Sequence, residues 1–279
     1  MSLDAYSTPI YQYEDRTSSA YFYPTAFSQA AGSAGNVAPG TQVPDNPKRV
    51  GGSGNDALFH VERRGTGECW SFWLSRQLAV NAITLQNLGA GLGQRQPTHV
   101  AGACIKVSPF TNSSPGRPAD GHGMGIHRRA LVLTGEEVLA AVSEGRPIGH
   151  ALGLTIANTW YGTIKTAREG VDWLAPARRL EWDVTKAKTR PGYTADKNQL
   201  TLEGFRIAVL LSPTERSAWL NRRVGTSGPF RDFCRVVLDA ICDYGLIVAV
   251  TGGAGMRVQT TGVRGPDRSI YQGLGINVA

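Results

Sequence analysis

The chain has 279 residues, of which 34 are glycine and 15 are proline, and only 18% of its residues are charged. This glycine-rich, charge-poor composition disfavours a helical bundle and is more typical of a protein built from short strands and turns. No apolar run is as long as a membrane span, and Met1-Ser2-Leu3-Asp4 does not resemble a signal peptide. We therefore expect neither membrane insertion nor classical secretion.

The positive charge is unevenly distributed along the chain. The formal net charge is +7, and residues 1–47 contain four acidic residues and one arginine, which leaves +10 for residues 48–279. A basic body indicates a polyanionic partner, such as an acidic polysaccharide, a nucleic acid or an acidic protein surface. The arginines are scattered and form no dense basic run, which disfavours the nucleic-acid interpretation.

Residues 1–55 differ in composition from the chain that follows. Five of the nine tyrosines lie within the first 23 residues, and a tract rich in glycine, alanine, proline and serine runs from residue 28 to residue 55. An aromatic segment with few charges usually packs against the rest of its own chain or against another protein. We predict an N-terminal docking arm that contacts either its own body or a neighbouring subunit of a homo-oligomer, followed by a linker.

Strand and turn signals dominate residues 56–129. Residues 56–61 and 69–74 predict strands, and the turn residues between them predict a hairpin. The glycines at 89–93 lack the lysine of a phosphate-binding loop. His122 and His127 are only two histidines, five positions apart, and the four cysteines lack metal-ligand spacing, so we predict no metal and no other cofactor.

A short helix followed by a strand is predicted in residues 134–156. Thr134 is a candidate N-cap, Glu137 occupies the capping-box position, and Gly145 ends the helix. Residues 148–156 then alternate between large side chains, including His150, and small ones, which predicts a strand with one packed face. His150 is polar among apolar neighbours, so it needs a partner, either as a core histidine or as a site residue.

The rest of the chain combines one clear helix with further strands. We predict a strand at residues 200–211 with a bulge at Gly204, a helix at 229–244 ended by Gly245, and strands at 246–250 and 256–260. Residues 263–279 are predicted to be irregular. Short segments broken by turn residues predict an all-β sandwich or barrel with two short helices, formed by residues 56–262.

Four segments also form an ordered set. They are Ile148-Gly149-His150-Ala151-Leu152, Ala175-Pro176-Ala177-Arg178, Gly204-Phe205-Arg206-Ile207, and the run Ala-Ile-Cys-Asp-Tyr-Gly-Leu-Ile-Val-Ala at 240–249. In this order they resemble a family of mostly secreted bacterial proteins that are commonly found near polysaccharide binding or degradation. The resemblance implies a jelly-roll, lectin-like β-sandwich from about residue 55 to about residue 262.

Two departures from the family pattern bear on catalysis. The chain has Ser71 where the family tends to carry a glutamate. It has Ala249-Val250-Thr251-Gly252 where the family strand ends in Ala-Asp-Asn-Gly. The loss of both acids disfavours hydrolysis by paired carboxylates.

An added arm on a lectin-like body without a signal peptide resembles the organisation of phage adhesins. We expect a virion tail-attached adhesin, or receptor-binding protein, that binds acidic polysaccharide on a bacterial host. It would be located on the virion or outside the cell after release by lysis. Sugars stack on flat aromatic faces and form hydrogen bonds with arginine and asparagine. The predicted carbohydrate-binding residues are Asn158, Trp160, Tyr161, Trp173, Arg178 and Trp182.

The sequence leaves two alternatives open. A polysaccharide lyase or hydrolase is the first: a lyase needs a base, a proton donor and a cation, which His150, Tyr161 and Arg178 (or Lys165) could supply. The second is a structural virion decoration or adaptor protein that joins its neighbours through the arm. No Gly-x-Ser-x-Gly motif and no activated cysteine is present, so we lean towards a binding protein.

Overall fold

The computed structural model describes residues 10–12, 20–24, 41–43, 59–65, 69–73, 76–77, 99–101, 103–107, 128–156, 159, 174–177, 202–251, 256–261 and 267–276. The strands are β1 (Ile10–Gln12), β2 (Ala20–Pro24), β3 (Thr41–Val43), β4 (Phe59–Glu62), β5 (Cys69–Trp73), β6 (Arg76–Gln77), β7 (His99–Ala101), β8 (Ala103–Val107), β9 (Leu152–Ile156), β10 (Arg206–Ile207), β11 (Leu246–Thr251) and β12 (Arg257–Val258). The α-helices are α1 (Gly135–Glu144), α2 (Pro213–Arg223), α3 (Pro229–Asp243) and α4 (Arg268–Gly273), and a short 3₁₀ helix spans Arg128–Ala130.

Because helices make up so much of the described chain, the prediction of an all-β jelly-roll sandwich is wrong. The glycine and proline content favours turns between strands, but such residues also stand at helix ends, as predicted for Gly145, Pro229 and Gly245 and not predicted for Pro213. Pro213 and Pro229 lie in the first turns of α2 and α3, where a missing N–H has no intrahelical partner to lose. Gly145 and Gly245 follow α1 and α3 in the left-handed conformation, with φ of 67° and 83°.

A mixed sheet of order β10-β11-β9-β12 forms the centre of the C-terminal half. β9 and β11 run parallel, with Leu246 opposite Leu152 and Val248 opposite Leu154, whereas β10 and β12 pair antiparallel at the edges. Parallel neighbours cannot be joined by a tight turn, and here α2 and α3 lie between them in the chain. The buried core combines residues of β9 and β11 with residues of α1, α3 and α4.

β9 is shorter than the strand predicted at residues 148–156, because it begins only at Leu152. The predicted packed face is nevertheless buried, since Ile148, Leu152 and Leu154 are at most 1% exposed. On the small-residue face, Gly153 is buried, whereas Gly149 is exposed. A Cβ atom on Gly153 would lie 2.6 Å from the side-chain oxygen of Gln259, so glycine allows a close approach here.

Helix α1 has the ends that the sequence predicts. The Thr134 hydroxyl accepts a hydrogen bond from the Glu137 N–H at 3.1 Å, and the Glu137 carboxylate accepts one from the Thr134 N–H at 3.2 Å. This reciprocal pair satisfies two N–H groups that have no partner within the helix.

Helix α3 also lies where it is predicted. Phe233, Val236 and Ala240 are buried, whereas Phe230 in its first turn is 46% exposed.

Two helices were not predicted. α2 begins with a capping box between Ser212 and Glu215, a signal that is present in the sequence, while only β10 forms within the strand predicted at residues 200–211. α4 lies in the C-terminal segment that was predicted to be irregular. None of the helices in the described ranges is long and apolar enough to cross a membrane.

The N-terminal strands pair with strands of their own chain. β1 pairs parallel with β4 in a sheet of order β1-β4-β5-β8, and β2 lies between β3 and β7 in a sheet of order β3-β2-β7-β6. β4 and β5 form the predicted antiparallel hairpin, with Phe59 opposite Phe72. The described parts of the predicted arm therefore contact their own body.

Candidate functional site

His150 lies just before β9 and has acceptors at both ring nitrogens. Its Nε2 lies 3.2 Å from Oε1 of Glu137, and its Nδ1 lies 2.8 Å from the main-chain oxygen of Ala151. Both partners accept hydrogen bonds, so the doubly protonated ring satisfies them best. Burial opposes the charged ring, but the bonds to Glu137 and to the Ala151 carbonyl outweigh it, and the pKa of His150 is raised.

Glu137 joins this histidine to the start of α1. Burial favours the neutral carboxyl group. However, the hydrogen bond and charge of His150, together with the Thr134 hydroxyl, lower the pKa of Glu137 to about 2. One carboxylate thus serves both the helix cap and the ion pair.

A second ion pair lies close to the first. Arg129 Nε donates to Oε2 of Glu62 at 2.8 Å, which ties the 3₁₀ helix to β4. Burial would lower the pKa of Arg129, but the charge and hydrogen bond of Glu62 and the charge of Glu137 raise it. We call these residues the α1 cluster: Glu62, Arg129, Thr134, Glu137 and His150.

A buried hydrogen-bond network lies at the same end of α1. Oδ2 of Asp267 accepts from the Gly135 N–H at 2.6 Å and from the Thr261 hydroxyl at 2.5 Å. The Tyr271 hydroxyl donates to the Leu133 carbonyl at 3.0 Å, and burial raises its pKa. A carboxylate at a helix N-terminus is favoured by the helix dipole. Sequence reasoning missed this network because Gly135 and Asp267 are 132 residues apart.

The α1 cluster provides paired charges, whereas the carboxylate of Asp267 accepts from neutral N–H and O–H donors. His150 cannot accept a proton at either nitrogen while both hydrogen bonds are in place, so its geometry does not suit the base of a lyase. Among the described residues, no group of three or more histidine, cysteine, aspartate or glutamate side chains could hold a metal ion.

The predicted sugar-binding residues lie outside the described residues. This applies to Asn158, Trp160, Tyr161, Trp173, Arg178 and Trp182. Their neighbours in the chain are described in two places. Thr159 lies between Asn158 and Trp160, and residues 174–177 lie between Trp173 and Arg178.

Thr159 and Leu174, one in each of these segments, form hydrogen bonds with Glu203. The Thr159 hydroxyl donates to Oε1 of Glu203 at 3.1 Å, and the Leu174 N–H donates to the Glu203 carbonyl at 2.9 Å. Thr159 and Glu203 are completely buried. The next residue, Gly204, has a φ of 79° and packs so closely that a Cβ atom would lie 1.8 Å from the Leu174 carbonyl oxygen. Glu203 therefore joins the two chain segments that carry the predicted sugar-binding residues.

Sequence reasoning did not select Glu203. In the strand predicted at residues 200–211, Glu203 stands next to the predicted bulge at Gly204, and a glutamate is ordinarily solvated. No signal in the sequence indicates its burial.

No protein-family model, no curated protein and no solved structure matches this chain. The family resemblance stays a prediction.

Proposed function

We propose that this protein is a virion tail-attached adhesin that binds an acidic polysaccharide on the surface of a bacterial host. The formal charge of +10 on residues 48–279 supports a polyanionic partner. Tryptophan and tyrosine offer flat faces for sugar rings, and arginine pairs with carboxylate groups through two parallel hydrogen bonds.

The observation that carries the proposal is the shared attachment at Glu203. Two segments that flank the predicted sugar-binding residues are separated by 14 residues in the chain, from Thr159 to Leu174, yet both are hydrogen-bonded to one buried glutamate. Residues that act together on one ligand need such a common, rigid support. This support does not depend on the jelly-roll fold.

The geometry of His150 favours binding over a lyase reaction, because both ring nitrogens face oxygen acceptors. The proposal further includes a homo-oligomer in which the N-terminal arm contacts other virion subunits. β1 lies at the edge of its sheet, and an edge strand can accept a strand from a neighbour.

The test measures binding and turnover together. The full chain is subjected to affinity electrophoresis in gels containing a panel of acidic bacterial exopolysaccharides, and the mixtures are assayed for unsaturated and reducing sugar ends. We expect retention without new ends, weakened by Trp160→Ala and largely kept by Trp160→Phe, which retains an aromatic face.

Two of three other outcomes would contradict the adhesin, and the third concerns Trp160 alone. Unsaturated products that disappear in His150→Ala would establish a lyase. Absence of both retention and products across the panel would leave the structural virion subunit as the better hypothesis. Retention that Trp160→Ala does not change would remove Trp160 from the site.

A further inference from the structure

Helix α2 exposes an aromatic ring beside two arginines. Leu220 is the buried residue of this helix, whereas Trp219 is 38% exposed and Arg222 and Arg223 are exposed. Residues three and four positions after Trp219 lie on the same side of a helix as Trp219 itself. The ring and the two guanidinium groups therefore face solvent on one side of α2.

A third arginine reaches the same end of α2 from α3. Nη2 of Arg231 donates to Oδ1 of Asn221 at 3.0 Å, and its Nε donates to the Gly225 carbonyl at 2.9 Å. Both acceptors are uncharged. Within the described part of the chain, Arg222, Arg223 and Arg231 form no ion pair with a carboxylate.

The other arginines between α2 and α3 are neutralised. Arg216 contacts Asp239 at 3.2 Å and Asp243 at 2.6 Å, and Arg235 contacts Asp239 at 3.5 Å. Among the arginines of α2 and α3, those without a carboxylate partner therefore lie at the C-terminal end of α2 or bond to it. The helix dipole also stabilises arginines in the last turn of a helix. This effect explains neither the exposed tryptophan nor the arginine supplied by α3.

We infer that this end of α2 binds the carboxylate-bearing sugars of an acidic polysaccharide. We call Trp219, Arg222 and Arg223 the α2 surface; Asn221 and Arg231 lie at the same end of the helix but not on the side of Trp219. The inference rests on the proposed function and assigns it to residues other than those predicted from the sequence. A guanidinium group binds a carboxylate through two hydrogen bonds, a tryptophan ring stacks on a sugar face, and an amide bonds to hydroxyls.

The sparse charge of the α2 surface favours a polysaccharide over a nucleic acid. Duplex DNA carries one negative charge per about 1.7 Å of its axis and is bound through many phosphate contacts. A polyuronate has one carboxylate per sugar ring, together with apolar sugar faces and hydroxyls. Two arginines on the same side of α2 as one exposed ring, with a third arginine at that end of the helix, suit the polyuronate better.

The test compares Arg222→Gln/Arg223→Gln with a control that removes the same charge elsewhere. Arg146 and Arg268 are exposed and lie outside the α2 surface, so Arg146→Gln/Arg268→Gln is the matched control. Dissociation constants of the full-length variants are measured for polygalacturonate, for duplex DNA and for neutral dextran. Trp219→Ala and Trp219→Phe are measured alongside, and circular dichroism checks that each variant is folded.

We expect the α2 double variant to bind polygalacturonate about tenfold more weakly and the control to stay within about twofold of the wild type. Trp219→Ala should cost about tenfold, and Trp219→Phe less. Binding to polygalacturonate that is equally affected by both double variants would overturn the α2 surface but leave the proposed function standing. No binding of the wild type to polygalacturonate or to any exopolysaccharide of the panel would overturn both. Preference for DNA that depends on the α2 arginines would identify a phosphate site instead and refute the inference.

Discussion

The ion pair between Glu137 and His150 should make part of the protein's stability depend on pH, and Glu137→Gln tests this. A glutamine keeps a side-chain oxygen that can accept the Thr134 N–H bond of the capping box, but it removes the charge that faces His150. The substitution therefore separates the ion pair from the helix cap.

The size of the effect follows from the pKa of Glu137. It falls from 4.5 to about 2, and each pKa unit corresponds to about 1.4 kcal/mol. The full shift would give about 3–4 kcal/mol, but 33% of the Glu137 side chain is exposed, so solvent screens the pair. We expect Glu137→Gln to lower the free energy of unfolding by about 1–2 kcal/mol.

The two partners define the pH range in which this loss is largest. The pKa of Glu137 is lowered on folding, so its contribution is complete above 4.5 and is lost as the pH falls towards 2. The pKa of His150 is raised on folding, so its contribution is complete below 6.5 and is lost as the pH rises through the folded-state value. Both contributions are complete between pH 4.5 and pH 6.5.

The assay is urea unfolding of the wild type and Glu137→Gln at several pH values. The difference between the two should be largest in that range and shrink at alkaline pH. Glu136→Gln, at an exposed position in the same helical turn, controls for the loss of negative charge near the helix N-terminus. A loss that is equal at all pH values, or equal in the two variants, would show that the ion pair with His150 contributes nothing.

Four further substitutions, one of them a control, test other parts of the structure. Gly204→Ala should destabilise the protein by more than about 3 kcal/mol, because its φ is 79° and the new Cβ would lie 1.8 Å from a carbonyl oxygen. Gly149→Ala, where no atom lies within 4 Å of the new Cβ, should be tolerated in the same thermal unfolding experiment. Tyr271→Phe removes a buried hydroxyl that donates to the Leu133 carbonyl. It should cost about 1–3 kcal/mol in urea unfolding, and an unchanged midpoint would mean that this bond is not formed. Ser212→Ala removes the N-cap of α2 and should cost about 1 kcal/mol. A loss below about 0.3 kcal/mol would contradict this assignment of the cap.

Local signals located much of the secondary structure. The capping residues of α1 are adjacent in the chain, so the sequence alone specifies where that helix begins and ends. The hairpin of β4 and β5 and the positions of α3 and β11 follow from equally local patterns. The capping box of α2 is also present in the sequence, but the apolar residues before it predict a longer strand.

The candidate site was only partly predictable for the same reason. His150 was selected because a polar residue stood among apolar ones, and its need for a partner was correctly inferred. The identity of that partner, Glu137, depends on how α1 folds back against the start of β9. Glu203 and the α2 surface were not selected, because burial and the absence of a neighbouring carboxylate are properties of the folded chain.

What the sequence determined by itself was therefore the local conformation of several segments, through caps, turns and alternation. Which strands pair, and in which direction, was decided by the tertiary structure. Period-2 alternation in residues 148–156 is compatible with a sandwich and with a mixed sheet, because it records which side chains are buried and not which strand lies alongside. β9 pairs in parallel with β11, which lies far along the chain. The buried side chains of Asp267, Tyr271 and Glu203 likewise bond to residues distant in the sequence. Such contacts form only when distant segments pack together, and no short pattern encodes them.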